Sequence, residues 1–238
     1  MSPARGLFVT GTDTGVGKTL VAAGLLRLAR RYGRVPIPFK PVETGCAPEP
    51  ADARRLWRAA TPPIAADEVC AHALPLPAAP ALAAAAVGQR IDVIALADRA
   101  HALASRGDFL LVEGAGGLLV PYTDEETTAD LAARIGLPLL IVGRMALGTI
   151  NHVALTIAEA KRRRLAIAGC VLSRTEPEVG PHEDGNVALI AAVSGHRPLA
   201  ILPHLPADAR DDDDRVADAV RDALGELGLR TLGLSATP

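Results

Sequence analysis

Apolar residues along this chain fall into two alternating patterns. Short runs that are apolar throughout recur at 7–10, 35–39, 109–112, 139–142, 167–172 and 199–202. Runs of that length, rich in Val, Ile, Leu and Phe, predict strands buried on both faces. Between them, apolar positions recur at intervals of three and four over 18–32, 51–60, 92–105, 128–135, 151–163, 185–193 and 213–227. That spacing predicts amphipathic helices. Strand alternating with helix predicts an α/β fold, a parallel sheet with helices on both faces. The segment 61–80 carries Pro62, Pro63, Pro75, Pro77 and Pro80. It predicts an irregular surface connection, because proline cannot donate to a sheet ladder. The alternation resumes after it, and no internal repeat interrupts it. Residues 1–238 are therefore expected to form a single domain.

The joint between the first strand and the first helix carries the most chemistry. It reads Gly11-Thr12-Asp13-Thr14-Gly15-Val16-Gly17-Lys18-Thr19. A Gly-rich turn between strand and helix aims successive backbone N–H groups inward, and the helix N-terminus adds partial positive charge. Lys18 can reach the β- and γ-phosphates, and the Thr19 hydroxyl can ligate Mg²⁺. Gly11 stands one residue further back than the usual spacing, but strand before and helix after are the context this motif requires. The reading is a P-loop NTPase-like fold that handles a nucleoside triphosphate.

Parallel α/β sheets bind ligands beyond the C-terminal ends of their strands. Polar groups and glycines gather there in this chain. Lys40-Pro41-Val42-Glu43-Thr44-Gly45 follows the second predicted strand, and Glu113-Gly114-Ala115-Gly116-Gly117 follows the third. Gly148-Thr149-Ile150-Asn151 follows the fourth, at a helix start. Glu113 closes an apolar strand as a Walker-B-like acid does, and can hold Mg²⁺ directly or through water. Gly114, Gly116 and Gly117 allow a ligand close to the backbone.

Composition narrows the class. The apolar fraction is 49%, much of it alanine, and residues 78–87 are interrupted by Pro80. That stretch falls short of the roughly 20 residues a membrane span needs. The opening Met1-Ser2-Pro3-Ala4-Arg5 has no signal-peptide pattern. Cys46, Cys70 and Cys170 are odd in number and widely spaced, which fits a reducing compartment and a cytoplasmic location. A formal net charge of −2 gives no support for a nucleic-acid surface. Of the six histidines, His152 beside Asn151 is the one placed near a site; a polar residue at a helix start explains it equally well. Lys161-Arg162-Arg163-Arg164 ends a helix and Asp211-Asp212-Asp213-Asp214 opens one. Both runs suit solvated helix ends that complement the dipole.

The four motifs, in this order and at these spacings, resemble the dethiobiotin synthetase family. The resemblance spans at least residues 7–151 and includes the long Gly11 spacing. It implies ATP-dependent carboxylation and ring closure of 7,8-diaminopelargonate with CO₂, giving dethiobiotin, ADP and phosphate, with Mg²⁺ as cofactor. It implies that Gly15, Val16, Gly17, Lys18, Thr19 and Leu20 cradle the phosphates, with Gly114, Ala115 and Gly116 also at the nucleotide. Thr19, Asp52 and Glu113 would ligate Mg²⁺. Asp52 also fits a helix N-cap or first-turn carboxylate. Lys40 matches the family's catalytic lysine, with Lys18 beside it. Thr14, Thr44 and Gly116 would contact substrate. Gly148, Thr149, Ile150 and Asn151 would receive the substrate carboxylate from a neighbouring subunit, which implies a homodimer with a shared active site.

Two positions depart from some relatives. Gly15 stands where those carry Glu. Ser173-Arg174 stands where they carry Asn-Asp, and a hydroxyl lacks the paired donor and acceptor of a carboxamide. Pro203, His204 and Leu205 are expected around the base. The competing class is the partition and septum-site P-loop ATPases, nucleotide-dependent dimerisation switches. Those carry a second lysine early in the P-loop, where this chain has Thr12 and Asp13. They often end in an amphipathic membrane helix, and residues 229–238 hold one basic residue, Arg230.

Overall fold

A computed structural model describes residues 6–178, 180 and 183–234. The expectations about residues 1–5 and 235–238 fall outside the described residues. Among those described, seven strands form one sheet: β1 (Gly6–Gly11), β2 (Pro36–Thr44), β3 (Cys70–Leu74), β4 (Phe109–Gly117), β5 (Leu139–Arg144), β6 (Ile167–Ser173) and β7 (Ala200–Leu202). Their order is β3-β2-β4-β1-β5-β6-β7, and every neighbouring pair is parallel. The helices are α1 (Lys18–Arg31), α2 (Ala51–Ala60), α3 (Pro80–Ala86), α4 (Val93–Ala104), α5 (Thr128–Ile135), α6 (Thr149–Arg162), α7 (Glu183–Ser194), α8 (Ala207–Arg210) and α9 (Asp213–Thr231).

The strands alternate between two cores, as period-two geometry requires. Leu7 and Val9 of β1, with Leu140 and Val142 of β5, pack beneath α1, α2 and α9. Phe8, Leu139 and Ile141 face the opposite core with α4, α5 and α6. Both faces are thus covered, as the runs of wholly apolar residues predict.

The structure corrects the expected connection over 61–80. It holds a 3₁₀ turn, Ala66–Glu68, and the edge strand β3. Cys70 pairs with Lys40 and Leu74 with Thr44. This strand is short, half-exposed and set among prolines, so no apolar run marks it. Pro80 then opens α3 at its first position, where a missing N–H does no harm. Two further boundaries move. β2 runs through Lys40 to Thr44, and β4 through Glu113 to Gly117. Their neighbours continue to pair with the backbone after the side chains turn polar.

The charged runs do more than meet solvent. Asp212 caps α9 through the Asp214 and Arg215 N–H groups. Asp214 takes a two-bond contact from Arg27 at 2.7 and 2.6 Å and a further one from Arg31. Asp213 receives Arg58 of α2 at 2.9 Å. In the basic run, Lys161 Nζ donates to the Ser194 carbonyl at the end of α7, and Arg163 reaches Asp130 of α5. Among the described residues, no helix is long and apolar enough to cross a membrane.

Helix α1 packs unusually close to α9. A Cβ at Gly24 would stand 2.6 Å from Val220 Cγ2 and 3.3 Å from the Val216 carbonyl oxygen. In an open helix Gly→Ala gains about 1 kcal/mol. Here the overlap outweighs that gain. Gly24→Ala should lose about 1–3 kcal/mol of stability, the range for overpacking, with an unchanged m-value in urea denaturation. A stabilised variant would show that the two helices can separate freely.

Candidate active site

The turn after β1, the upper halves of β2 and β4, and the start of α2 surround a cleft of about 380 Å³. Gly15 and Gly17 hold φ of +71° and +93°, a conformation side chains resist. It bends the turn so that Lys18 and Thr19 open α1 at the cleft wall. Leu20 and Thr14 line the same wall. Val16 is buried in the core beneath. Lys40, Glu43 and Thr44 come from β2, Asp52 from α2, and Glu113, Ala115 and Gly116 from β4.

A charge network occupies the floor. Lys40 Nζ donates to Glu113 Oε1 at 2.5 Å and to Asp52 Oδ2 at 2.9 Å. Thr19 Oγ1 donates to the same Glu113 oxygen at 2.9 Å. Lys40 is 3% exposed and Glu113 fully buried. Burial opposes the Lys40 charge, but Glu113 and Asp52 overcome it and hold the ammonium above the ordinary lysine range. Asp52 is half-exposed; its partial burial favours the neutral acid, yet Lys40 and the Thr19 hydroxyl keep its carboxyl below the usual range. Lys18 Nζ donates to the Asp13 carbonyl at 2.9 Å. Burial lowers its pKa; Glu113 opposes the shift and Lys40 adds to it.

The residues present fit a divalent cation. Glu113 Oε2 is buried with no partner, a state that costs about 1–3 kcal/mol unless something binds there. Asp52 and the Thr19 hydroxyl adjoin it through the shared Lys40 and Glu113 contacts. Among the described residues no three His, Cys, Asp or Glu side chains form a metal cluster. Two carboxylates and a hydroxyl suit Mg²⁺, which keeps waters and takes phosphate oxygens.

Two residues with no role in the sequence reading prove central. Glu43 Oε1 accepts from the Asp52 N–H at 3.0 Å and Oε2 from the Ala53 N–H at 2.9 Å. It caps α2 from outside, because the N-cap residue is Pro50, with no acceptor side chain. Asp52 is therefore a first-turn residue whose carboxylate points to Lys40 and does not cap. An uncapped helix start after a buried acid was the available signal. Tyr122 is fully buried, and its hydroxyl accepts from the Ala115 N–H at 3.2 Å, fixing the end of β4.

Other expected residues lie apart from the cleft. Gly114 is a packing glycine: a Cβ there would stand 2.9 Å from Thr128 and 3.1 Å from Phe8. Packing against those two side chains alone requires a glycine there. Ser173 is buried, its hydroxyl 2.7 Å from where a Cβ on Gly17 would stand. Arg174 binds Glu183. Arg210 joins the loops after β6 and β7 by reaching the Thr175 and Leu205 carbonyls and His204 Nδ1. Pro203 lines a shallow groove against α9. Gly148, Thr149, Ile150 and Asn151 line no part of the cleft. Thr149 and His152 border a separate depression with Thr12, Asp13 and Arg144.

The parallel sheet, the Gly-rich turn and the Lys18–Thr19 helix start define a P-loop NTPase. Solved structures agree at the level of fold. The MinD cell division protein of Aquifex aeolicus matches with a TM-score of 0.60 at 14% identity over 99% of both chains. A ParA family ATPase from Chlorobium tepidum gives 0.55 at 15% identity over 98% of both. A family model described as an AAA domain matches residues 5–210. An ATP-dependent dethiobiotin synthetase of Anaeromyxobacter dehalogenans is 50% identical over 207 residues, 87% of this chain and 93% of that one. One from Bacillus cereus is 38% identical over 200 residues, 83% of each. The chain belongs to the ATP-dependent dethiobiotin synthetase family and is an ATP-dependent ligase of biotin biosynthesis.

Removing one member of a buried ion pair strands the other. Lys40→Met should lower stability by about 3–5 kcal/mol. Adding Glu113→Gln should recover part of that loss. The Lys40 pKa is raised on folding, so its contribution is full below the ordinary lysine range and fades only above it. The deficit of Lys40→Met should therefore stay constant from about pH 6 to pH 9. Strictly additive losses in a urea double-mutant cycle would show two independent groups.

Proposed function

We propose that this chain carboxylates 7,8-diaminopelargonate with CO₂ and closes the ureido ring of dethiobiotin, converting ATP to ADP and phosphate. One amine takes up CO₂ as a carbamate. A carbamate oxygen accepts the γ-phosphoryl group as its bond to ADP breaks. The second amine attacks the carbonyl of this mixed anhydride, a C–N bond forms, and phosphate leaves. Such chemistry needs positioned cations more than a protein nucleophile.

The carrying observation is that Lys40, Asp52, Glu113 and Thr19 meet at the floor of a cleft walled by the phosphate-binding turn. Lys18 and Lys40 orient and neutralise the oxygens of the transferring group. Gly15, Val16, Gly17, Lys18, Thr19 and Leu20 hold the phosphates, with Gly114, Ala115 and Gly116 alongside. Thr19, Asp52 and Glu113 would hold Mg²⁺, which supplies charge neutralisation on the triphosphate. Thr14, Thr44 and Gly116 position diaminopelargonate. Its carboxylate is assigned to the start of α6, at Gly148, Thr149, Ile150 and Asn151, supplied by the partner subunit of a homodimer. Free N–H groups at a helix start favour an anion, and the buried Thr149 hydroxyl has no partner. The whole chain, 1–238, is read as one domain. Three free cysteines support a cytoplasmic setting. The alternative of a dimerisation switch of the partition or septum-site type rests on likeness of fold alone.

Purified protein with diaminopelargonate, bicarbonate, ATP and Mg²⁺ should yield dethiobiotin by mass spectrometry, and nothing when any one is left out. Steady ATP hydrolysis indifferent to diaminopelargonate would favour the switch. Lys40→Gln should remain folded and lose about 10²–10³ in rate, as for one preorganised donor. A variant within threefold of wild type would reduce Lys40 to a structural role.

Base recognition gives a further prediction. Ser173, Arg174, Pro203, His204 and Leu205 are assigned to the nucleotide base, and Ser173 cannot make a paired contact to adenine. Without that contact, roughly 1–3 kcal/mol of discrimination is absent. CTP or GTP should therefore support synthesis within about a hundredfold of ATP in kcat/KM, and Ser173→Asn should shift the preference toward ATP. Strict ATP dependence unchanged by the substitution would assign base reading to the backbone after β7.

A further inference from the structure

Glu43 is a charged residue of the cleft wall that the proposed reaction leaves without a task. It is 7% exposed, and both its oxygens are spent on the first turn of α2, at the Asp52 and Ala53 N–H groups. Burial raises its pKa, while those two donors hold it down. Asp52 belongs to that same turn, and its carboxylate grips Lys40. A continuous chain of contacts thus runs from Glu43 through the start of α2 to Asp52 and Lys40. Glu43 and Lys40 stand on one strand, β2, so the strand that carries the lysine also anchors the helix that carries its partner.

We infer that Glu43 is a positioning residue that fixes Asp52 against Lys40 by tying the α2 N-terminus to β2. Three facts separate this from ordinary capping. The cap comes from a strand and not from the helix's own N-cap residue, which is proline. It puts a second carboxylate next to Asp52, an arrangement that like-charge repulsion disfavours unless the helix N-terminus offsets it. And both bonds end on the residue that reaches Lys40 or on its neighbour.

The inference rests on the proposed roles of Lys40 and Asp52. Its test uses Glu43→Ala and Glu43→Gln in the full chain, Gln keeping one acceptor at the same reach. Hydrogen exchange in the absence of nucleotide and metal reads the first turn of α2 directly. Turnover with ATP, diaminopelargonate, bicarbonate and Mg²⁺ reads the consequence. In Glu43→Ala, protection of the Asp52 and Ala53 amides should fall about tenfold or more. The kcat should drop about tenfold, as for loss of an outer-shell partner. The KM for ATP should stay within about threefold, because the phosphate cradle is untouched. Glu43→Gln should recover most of both losses. Lost protection with wild-type kcat would overturn the inference and leave a simple helix cap. Retained protection would overturn it too, since α2 would then not depend on Glu43. If Lys40→Gln itself keeps full turnover, the reading of the whole site fails, whatever the Glu43 variants do.

Discussion

The ammonium of Lys40 is the point on which the site depends. It lies in the protein interior and joins β2 to β4 through Glu113 and to α2 through Asp52. Thr19 brings α1 to the same oxygen. Taking such charges out of water costs several kcal/mol per ion, returned only by close geometry and full hydrogen bonding. The arrangement therefore tolerates little displacement. It requires β2 and β4 to be neighbours, although Lys40 and Glu113 lie 73 residues apart. The sheet order supplies that adjacency.

That order also explains where the cleft opens. β1 sits at the centre, with β4 on one side and β5 on the other. The chain builds one wing before it builds the second, so the direction of winding reverses beside β1. Crevices form at such reversals, beyond the carboxyl ends of the strands. The phosphate-binding turn leaves β1 there. Lys40 and Glu113 arrive from the first wing, and the loops after β6 and β7 come from the second.

Much of this was legible in the chain. Six apolar runs marked six strands, and the helices α2 and α5 fall where their spacing put them. The phosphate turn was legible because Gly, Lys and Thr have distinct tasks in it. Lys40, Asp52 and Glu113 were named, and the structure brings them within hydrogen-bond reach. The edge strand β3 was not legible. It buries little, so apolar periodicity never develops, and its pairing depends on β2 being present. Glu43 was hidden for a related reason. Its partners are backbone N–H groups nine and ten residues ahead, and backbone donors leave no trace in sequence. The size limit at Gly114 was not legible either, because Phe8 on β1 and Thr128 on α5 set it. The role of Asp213 and Asp214 escaped because arginines on α1 and α2 define it.

The closure of α9 over α1 bears on the order in which the molecule comes together. The face of α1 that carries Val21, Gly24, Leu25 and Leu28 is covered by Val216, Ala217, Val220 and Leu224. The arginines of α1 find their acids on α9 as well. The helix that begins at the phosphate turn is thus sheathed by a segment far along the chain, Arg27 and its partner Asp214 standing 187 residues apart. Without residues 213–231 in place, α1 would keep that apolar stripe uncovered directly behind the phosphate turn. Burial of that face therefore waits on a contact of long sequence separation, whose loop-closure entropy must be met before the packing repays it.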